Sequence, residues 1–268
     1  MSIMLFLKTH IGGYTRKDGV VVRPHETKAF AYAHSTSSRH KGTPMLSSYS
    51  KKQPSHRSVT HPQQGEDGKP FLIHDPSVPS MAATWTDPQA TAIFTPAGET
   101  PEALNGIALA PWADAPTSLD LWQDVDGQMV DLDEPDLITH GKDAAAGVVI
   151  EEADGRVWIV CPSNGFYGCQ ATFPKGRADD GISLQATAIK EAFEESGLQV
   201  EITGLIGDVE RSMTVTRYYR ARRVGGTPAA MGWESQAVKL VPKEQVTKTV
   251  NLATDRHVAS LAGVDGAA

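Results

Sequence analysis

Three glutamates within five residues are the part of this sequence best suited to carry out chemistry. Glu191, Glu194 and Glu195 stand at positions i, i+3 and i+4, so on a helix they would share an arc of about 100°. Like charges at this spacing repel by roughly 0.2–0.5 kcal/mol per pair, whereas a hard divalent cation bound by their oxygens would reverse that sign. The alternative interpretation is a solvated acidic face, which many surface helices carry.

The residues around the glutamates predict a helix that would hold them in this arrangement. Ser183 is a suitable N-cap and Gly197 a suitable C-terminal stop, which places the helix over residues 184–196. Ile189 and Phe193 fall on the side opposite to the carboxylates, as expected for a helix that packs on a core.

The loop before this helix favours a binding site over a plain acidic face. Gly176 and Gly181 allow the backbone to turn tightly. Lys175 and Arg177 place two cations where phosphate charge could lie.

This spacing resembles the box of the Nudix hydrolases, G-x5-E-x7-R-E-U-x-E-E-x-G-U, where U is a bulky aliphatic residue. On this chain the box runs from Gly176 to Leu198, and the matching positions are Gly176, Glu191, Glu194, Glu195, Gly197 and Leu198. The preceding residues 173–175 also resemble the usual lead-in of the family. The resemblance covers about residues 142–255.

Three positions depart from the box. Ile182 stands in place of the Glu, Lys190 in place of the Arg, and Ala192 in place of a larger aliphatic residue. In the family, that Glu and Arg are understood to pair and to brace the loop against the helix. Because both partners differ here, we expect no uncompensated charge to remain and the metal-facing glutamates to stay intact.

The resemblance implies an α/β/α sandwich with a mixed sheet, and the sequence patterns agree with it. Residues 144–150 and 157–160 predict a β-hairpin around the turn at 152–155. Further strands are expected at 199–202, 215–219 and 237–241, with a closing helix from Pro242.

The resemblance also implies an activity, the Mg²⁺-dependent hydrolysis of a phosphoanhydride in a nucleoside diphosphate linked to another group, with Mn²⁺ as a possible substitute. The order of elements resembles the diphosphoinositol polyphosphate and diadenosine polyphosphate branch, and ADP-ribose pyrophosphatases are close. A non-catalytic Nudix-type sensor of nucleotides or ADP-ribose is the alternative. The altered box fits a sensor, whereas the intact glutamates favour an enzyme.

The resemblance assigns roles to individual residues. Glu194 and Glu195 are the expected metal ligands together with a backbone carbonyl at Lys175 or Gly176, and Glu191 would bind the metal or accept the proton of water. A further carboxylate is expected from a later loop, with Glu234 as the candidate and Glu210 in reserve. The expected phosphate contacts are Lys175, Arg177 and Arg217. The alternative interpretation is that these three side chains are solvated surface cations.

The charge distribution divides the chain into three regions. Residues 1–69 carry eleven Lys and Arg against four Asp and Glu, residues 70–140 carry twelve acidic and no basic residues, and residues 141–268 are nearly balanced. We expect a basic arm with a short hairpin and disorder over residues 34–69. The acidic segment, with three Trp residues and one short helix at about 101–109, should pack on a catalytic domain at 141–268.

Composition excludes several classes of protein. The chain of 268 residues has no run of 18 apolar residues, and its first residues lack the features of a secretory signal. Cys161 and Cys169 are too few for a disulfide scaffold or a zinc site. We therefore expect a cytoplasmic protein with no membrane partner, and the oligomeric state is not indicated. The resemblance implies a phosphoanhydride small molecule as the partner. A solvated polar arm is favoured for the basic residues, and a nucleic-acid-binding tail is the alternative.

Overall fold

The computed structural model describes residues 59–65, 67–73, 78–96, 98–165 and 170–266, and the backbone of four strands between residues 5 and 31. The chain divides into two compact units, Met1–Gln53 and Pro54–Ala268. In the described ranges no helix is long and apolar enough to cross a membrane.

The first unit contains nested antiparallel strands. They are β1 (Leu5–Ile11), β2 (Tyr14–Thr15), β3 (Val21–Val22) and β4 (His25–Ala31). β1 pairs with β4, and β2 pairs with β3, so the expected hairpin is the inner of two pairs. Residues 34–58, for which disorder is predicted, lie outside the described residues.

The second unit alternates strands and helices. The elements up to the middle of the chain are β5 (Val59–Gln64), β6 (Pro70–Ile73), α1 (Ala82–Trp85), β7 (Ala92–Phe94), β8 (Ala103–Leu104), β9 (Ile107–Ala108) and α2 (Leu119–Gln123). The remaining elements are β10 (Asp143–Glu151), β11 (Arg156–Pro162), β12 (Lys175–Arg177), α3 (Leu184–Ser196), β13 (Leu198–Glu210), β14 (Thr214–Gly226), a 3₁₀ turn (Pro228–Ala230), β15 (Ser235–Pro242), α4 (Lys243–Thr249) and α5 (Ala253–Leu261).

A mixed sheet forms the centre of this unit. Its order is β13-β14-β10-β11-β15-β7, and β12 pairs with the first half of β10. β10 and β14 are parallel, whereas the other pairs are antiparallel. The expected hairpin of β10 and β11 is confirmed.

Both faces of the sheet are covered because its central strands are apolar on both sides. Val148 and Ile150 of β10 pack with α3 on one face, while Val149 packs with α4 and α5 on the other. The expected α/β/α sandwich is therefore confirmed.

The acidic segment is built into this sandwich. β7 forms the edge of the sheet beside β15, and Trp85 and Trp122 are buried in the core on the α3 face. The helix expected at about residues 101–109 is wrong. Asn105 and Gly106 adopt positive φ angles of 51° and 81°, which makes the turn of the β8–β9 hairpin.

A second hairpin changes the expected boundary of the basic arm. β5 pairs with β6 across residues 65–69, so the expected disorder over residues 34–69 is wrong for residues 59–64. Phe71 of this hairpin packs on Trp233, with ring centroids 5.5 Å apart. The boundary that we predicted at residue 69 thus falls inside one supersecondary unit.

Candidate active site

Helix α3 has the boundaries that its local sequence predicts. The Ser183 Oγ accepts a hydrogen bond from the Ala186 N–H at 3.0 Å. Gly197 ends the helix with φ of 72°, and a Cβ at this position would lie 2.2 Å from the Thr227 carbonyl oxygen. Both the cap and the close approach fix where the glutamates of the helix point.

Two glutamates of α3 join the helix to the loop before it. The Glu191 carboxylate lies against Gly176, where a Cβ would be 2.1 Å from the Glu191 Cδ. The Lys175 N–H donates to the Glu195 Oε2 at 3.0 Å. Gly176 is therefore required by the space that a carboxylate occupies, and the loop backbone lies within reach of both side chains.

The carboxylates of this site destabilise one another's ionised forms. Burial raises the pKa of Glu191, and the charge of Glu195 raises it further. Burial also raises the pKa of Glu195, which the nearby Lys175 partly offsets. Glu234 acts on both glutamates in the same upward direction. The cluster thus holds more negative charge than its surroundings neutralise.

Lys190 pairs with carboxylates of other positions, because the Glu of the family's box is replaced by Ile182. Its Nζ lies 2.8 Å from the Glu194 Oε2 and 3.3 Å from the Asp179 Oδ2, while Ile182 packs against the core on the α3 face. Asp179, three residues before Ile182, thereby connects the loop to the helix. The expectation that no charge is left uncompensated agrees with this pairing, although its partner was not foreseen.

One pocket collects four of the eight predicted site residues, Lys175, Arg177, Glu195 and Glu234. It has a volume of about 550 Å³, and its charged lining residues are Lys175, Arg177, Glu195, Arg211 and Glu234. The rest of its lining includes the apolar residues Pro162, Met213 and Leu252 and the hydroxyl-bearing residues Ser212, Thr214 and Thr254. The pocket lies where β12, the end of α3 and the β13–β14 turn meet.

The loop that carries Glu234 is fixed to the box helix. The Gly232 N–H donates to the Glu194 carbonyl oxygen at 2.6 Å, and the Ser163 N–H donates to the Glu234 carbonyl oxygen at 2.7 Å. In contrast, Glu210 forms an ion pair with Lys142 at 2.9 Å and does not line this pocket. The geometry favours Glu234 over Glu210 as the additional carboxylate.

The structure does not place Arg217 among the phosphate contacts. Its side chain is 3% exposed and donates to both carboxylate oxygens of Asp208, at 2.8 and 2.9 Å, and to Glu134 at 3.3 Å. All three nitrogens of its guanidinium donate to carboxylates, and Arg217 does not line the pocket. Arg177, in contrast, lines the pocket, with one ion pair to Asp143 at 3.3 Å.

Arg211 is the pocket residue that the sequence did not indicate. It donates to the buried carboxylate of Asp255 and to the Tyr218 hydroxyl, the latter at 2.7 Å. Asp255 lies 44 positions away along the chain, so no local spacing connects the two residues. The place of Arg211 between the strands expected at 199–202 and 215–219 is a signal that could have suggested it.

The donor set fits a hard divalent cation. Carboxylates and backbone carbonyls are the oxygen ligands that Mg²⁺ and Mn²⁺ prefer, and Glu191, Glu195 and Glu234 repel one another at the pocket. As they stand, no three His, Cys, Asp or Glu side chains of the described residues are arranged to hold a metal. Glu194, for example, is engaged with Lys190 and would have to rotate to bind one.

The part of the chain that contains the pocket matches a known protein family. Residues 141–261 match the NUDIX domain family. This region is thus similar to NUDIX domains. It contains the whole box, the pocket and Asp255, and it agrees with the extent expected from the sequence.

Individual relatives extend the comparison. The chain is 35% identical over 72 residues to nucleoside diphosphate-linked moiety X motif 6 from Xenopus laevis, over 27% of this chain and 32% of the relative. The match thus spans about a third of the length of that curated relative.

Solved structures with likeness to the chain include three hydrolases. A NUDIX hydrolase from Nitrosomonas europaea is 20% identical with a TM-score of 0.39, over 44% of this chain and 67% of that one. An ADP-ribose pyrophosphatase from Streptococcus suis is 17% identical with a TM-score of 0.38, over 46% and 89%. An Ap4A hydrolase from C. elegans is 20% identical with a TM-score of 0.38, over 45% and 95%.

Proposed function

We propose that this protein is a divalent-metal-dependent pyrophosphohydrolase that cleaves a phosphoanhydride in a nucleoside diphosphate linked to another group. The observation that supports this proposal most directly is the pocket, in which Lys175, Arg177, Glu195 and Glu234 face the same space. Cations for phosphate and carboxylates for a metal are thus combined in one cavity of the region that matches the NUDIX family.

Different side chains of the site have different roles in the reaction. Lys175 and Arg177 bind the phosphate oxygens, while Glu194, Glu195 and a backbone carbonyl at Lys175 or Gly176 would hold Mg²⁺ or Mn²⁺. When bound, this cation would screen the diphosphate and polarise its phosphorus. Glu191 would join the ligands or accept the proton of the attacking water. The water oxygen bonds to phosphorus, and the bond from that phosphorus to the bridging oxygen breaks.

The charge of the pocket favours substrates with few phosphate monoester groups. Its three cations face Glu195 and Glu234, and two of them are already paired, Arg177 with Asp143 and Arg211 with Asp255. A phosphate monoester carries about −1.5 to −2 charges at neutral pH, so an inositol ring with several of them requires more cations. We therefore expect ADP-ribose and dinucleoside polyphosphates to be better substrates than diphosphoinositol polyphosphates. We also propose that the protein acts in the cytoplasm.

A panel of substrates tests this proposal. The full chain is incubated with ADP-ribose, a diadenosine polyphosphate, a diphosphoinositol polyphosphate and nucleoside triphosphates, each with Mg²⁺ or Mn²⁺ and with chelator as control. We expect metal-dependent release of the two phosphorylated products from at least one of them. Binding of a nucleotide without turnover of any substrate would instead indicate the sensor.

A further inference from the structure

We propose that Arg211 binds the diphosphate of the substrate and that Asp255 and Tyr218 are positioning residues that hold its guanidinium for this purpose. This inference deepens the proposed function, on which it rests, by assigning a phosphate-binding residue outside the box. It places this role on an arginine that lines the pocket, whereas Arg217 does not line it.

The position of Arg211 fits a phosphate contact. The residue lines the same pocket as Lys175 and Glu195, on the side formed by the β13–β14 turn. Its backbone N–H donates to the Thr214 carbonyl oxygen at 2.8 Å, which closes a short turn and restricts movement of the chain. Arg211 therefore lines the pocket with Glu195 and Glu234 from a hydrogen-bonded turn.

The hydrogen bonds of Arg211 leave one end of its guanidinium for a ligand. Its Nη2 donates both to Asp255 and to the Tyr218 hydroxyl, while its Nη1 makes no hydrogen bond to the described residues. In Arg217, Nε, Nη1 and Nη2 all donate to carboxylates. Since a guanidinium binds phosphate through its free N–H groups, Arg211 offers a free Nη1 end to a ligand, whereas every nitrogen of Arg217 already donates to a carboxylate.

The cluster around Arg211 is incompletely satisfied within the described residues. Asp255 is fully buried, yet its Oδ2 has no hydrogen-bond partner there, and neither has the Arg211 Nε. A buried ion pair contributes little to stability compared with well-packed apolar residues, and half-satisfied polar networks are costly. Such a cluster at a pocket wall is better explained by a ligand that it orients than by a structural role.

Binding of α,β-methylene-ADP with Mg²⁺, measured by calorimetry, tests the inference, because its methylene bridge prevents cleavage. We expect Arg211→Lys to weaken binding about tenfold or more, as for the loss of a hydrogen bond to a charged group. Asp255→Asn should raise KM for the substrate of the panel more than it lowers kcat. Arg222→Lys is the matched control, because Arg222 is exposed and pairs with Glu201.

A variant without the buried charge separates binding from folding. Arg211→Met combined with Asp255→Leu removes the ion pair without leaving an unpaired charge, and it should fold but bind the analogue as weakly as Arg211→Lys. Wild-type affinity in Arg211→Lys and in this double variant would overturn the inference, as would a wild-type protein that does not bind the analogue. Arg211-dependent binding without turnover of any substrate would contradict only the proposed hydrolysis.

Discussion

At the scale of single residues, the charge of Glu195 is the feature on which the proposed activity depends most. Glu195→Gln keeps an oxygen that can accept from the Lys175 N–H while removing one of several charges that repel one another. We expect turnover to fall by orders of magnitude and the unfolding temperature at pH 8 to stay level or rise. Glu210→Gln, outside the pocket, is the control, and an active Glu195→Gln enzyme would refute the assigned ligand.

The raised pKa values of Glu191 and Glu195 predict how stability depends on pH. Both pKa values lie above the ordinary 4.5 in the folded protein, so above that pH the folded state retains protons that the unfolded state has released. The free energy of unfolding of the metal-free protein should therefore fall as pH rises from 4.5 through neutrality. Thermal unfolding with and without Mg²⁺ measures this, and Mg²⁺ should restore stability at pH 8. A metal-free protein that gains stability over this range would contradict the pKa directions.

The Asp179–Lys190 pair predicts a second residue-scale effect. Asp179→Asn removes the carboxylate that connects the loop to Lys190, so Lys190 should bind Glu194 more tightly and compete with a metal there. We expect a several-fold increase in the Mg²⁺ concentration needed for half-maximal activity. The neighbouring Asp180→Asn should have no such effect, and equal behaviour of the two variants would rule out the role of Asp179.

At the scale of elements, two buried arginines attach the acidic segment to the sheet. Arg223 forms an ion pair with Glu152 and donates to the carbonyl oxygens of Leu104 and Ala108, at 2.9 and 3.3 Å. Arg156 donates to the carbonyl oxygens of Thr84 and Trp85 at the end of α1. The backbone of the segment is thereby hydrogen-bonded to the central sheet.

Replacing one of these arginines should destabilise the whole sandwich. Arg223→Met leaves the Glu152 carboxylate buried without its charged partner, which costs about 3–5 kcal/mol. Arg222→Met, the next residue on the same strand, removes only an exposed pair with Glu201 and should cost about 1 kcal/mol or less. Urea unfolding of both variants measures the difference, and similar midpoints would show that the arginine contributes no net stability.

At the scale of the whole molecule, the folding unit is larger than the region that matches the NUDIX family. Residues 54–268 form one compact unit, and Trp85 and Trp122 complete the core on the α3 face. A chain that begins at residue 54 should keep the cooperative unfolding and the activity of the full protein. A chain that begins at residue 141 should aggregate, because it exposes the core that the Trp residues cover. A stable, monomeric fragment from residue 141 would contradict this prediction.

The sequence alone was sufficient where the information is local. The bounds of α3 follow from Ser183 and Gly197, and the spacing of its glutamates follows from the period of the helix. The hairpin of β10 and β11 likewise follows from two apolar runs on either side of a turn. The β8–β9 hairpin was mistaken for a helix, although Asn105–Gly106 is a strong local turn signal.

Only the tertiary structure decided which charges meet. Arg211 and Asp255 are 44 residues apart, and Arg217 and Glu134 are 83 apart, so their pairing depends on how the sheet and the acidic segment come together. The presence of an arginine in the sequence does not reveal whether its guanidinium is free to bind a ligand or already bound to carboxylates. That depends on burial and on partners from distant parts of the chain, which side-chain periodicity and capping residues do not encode.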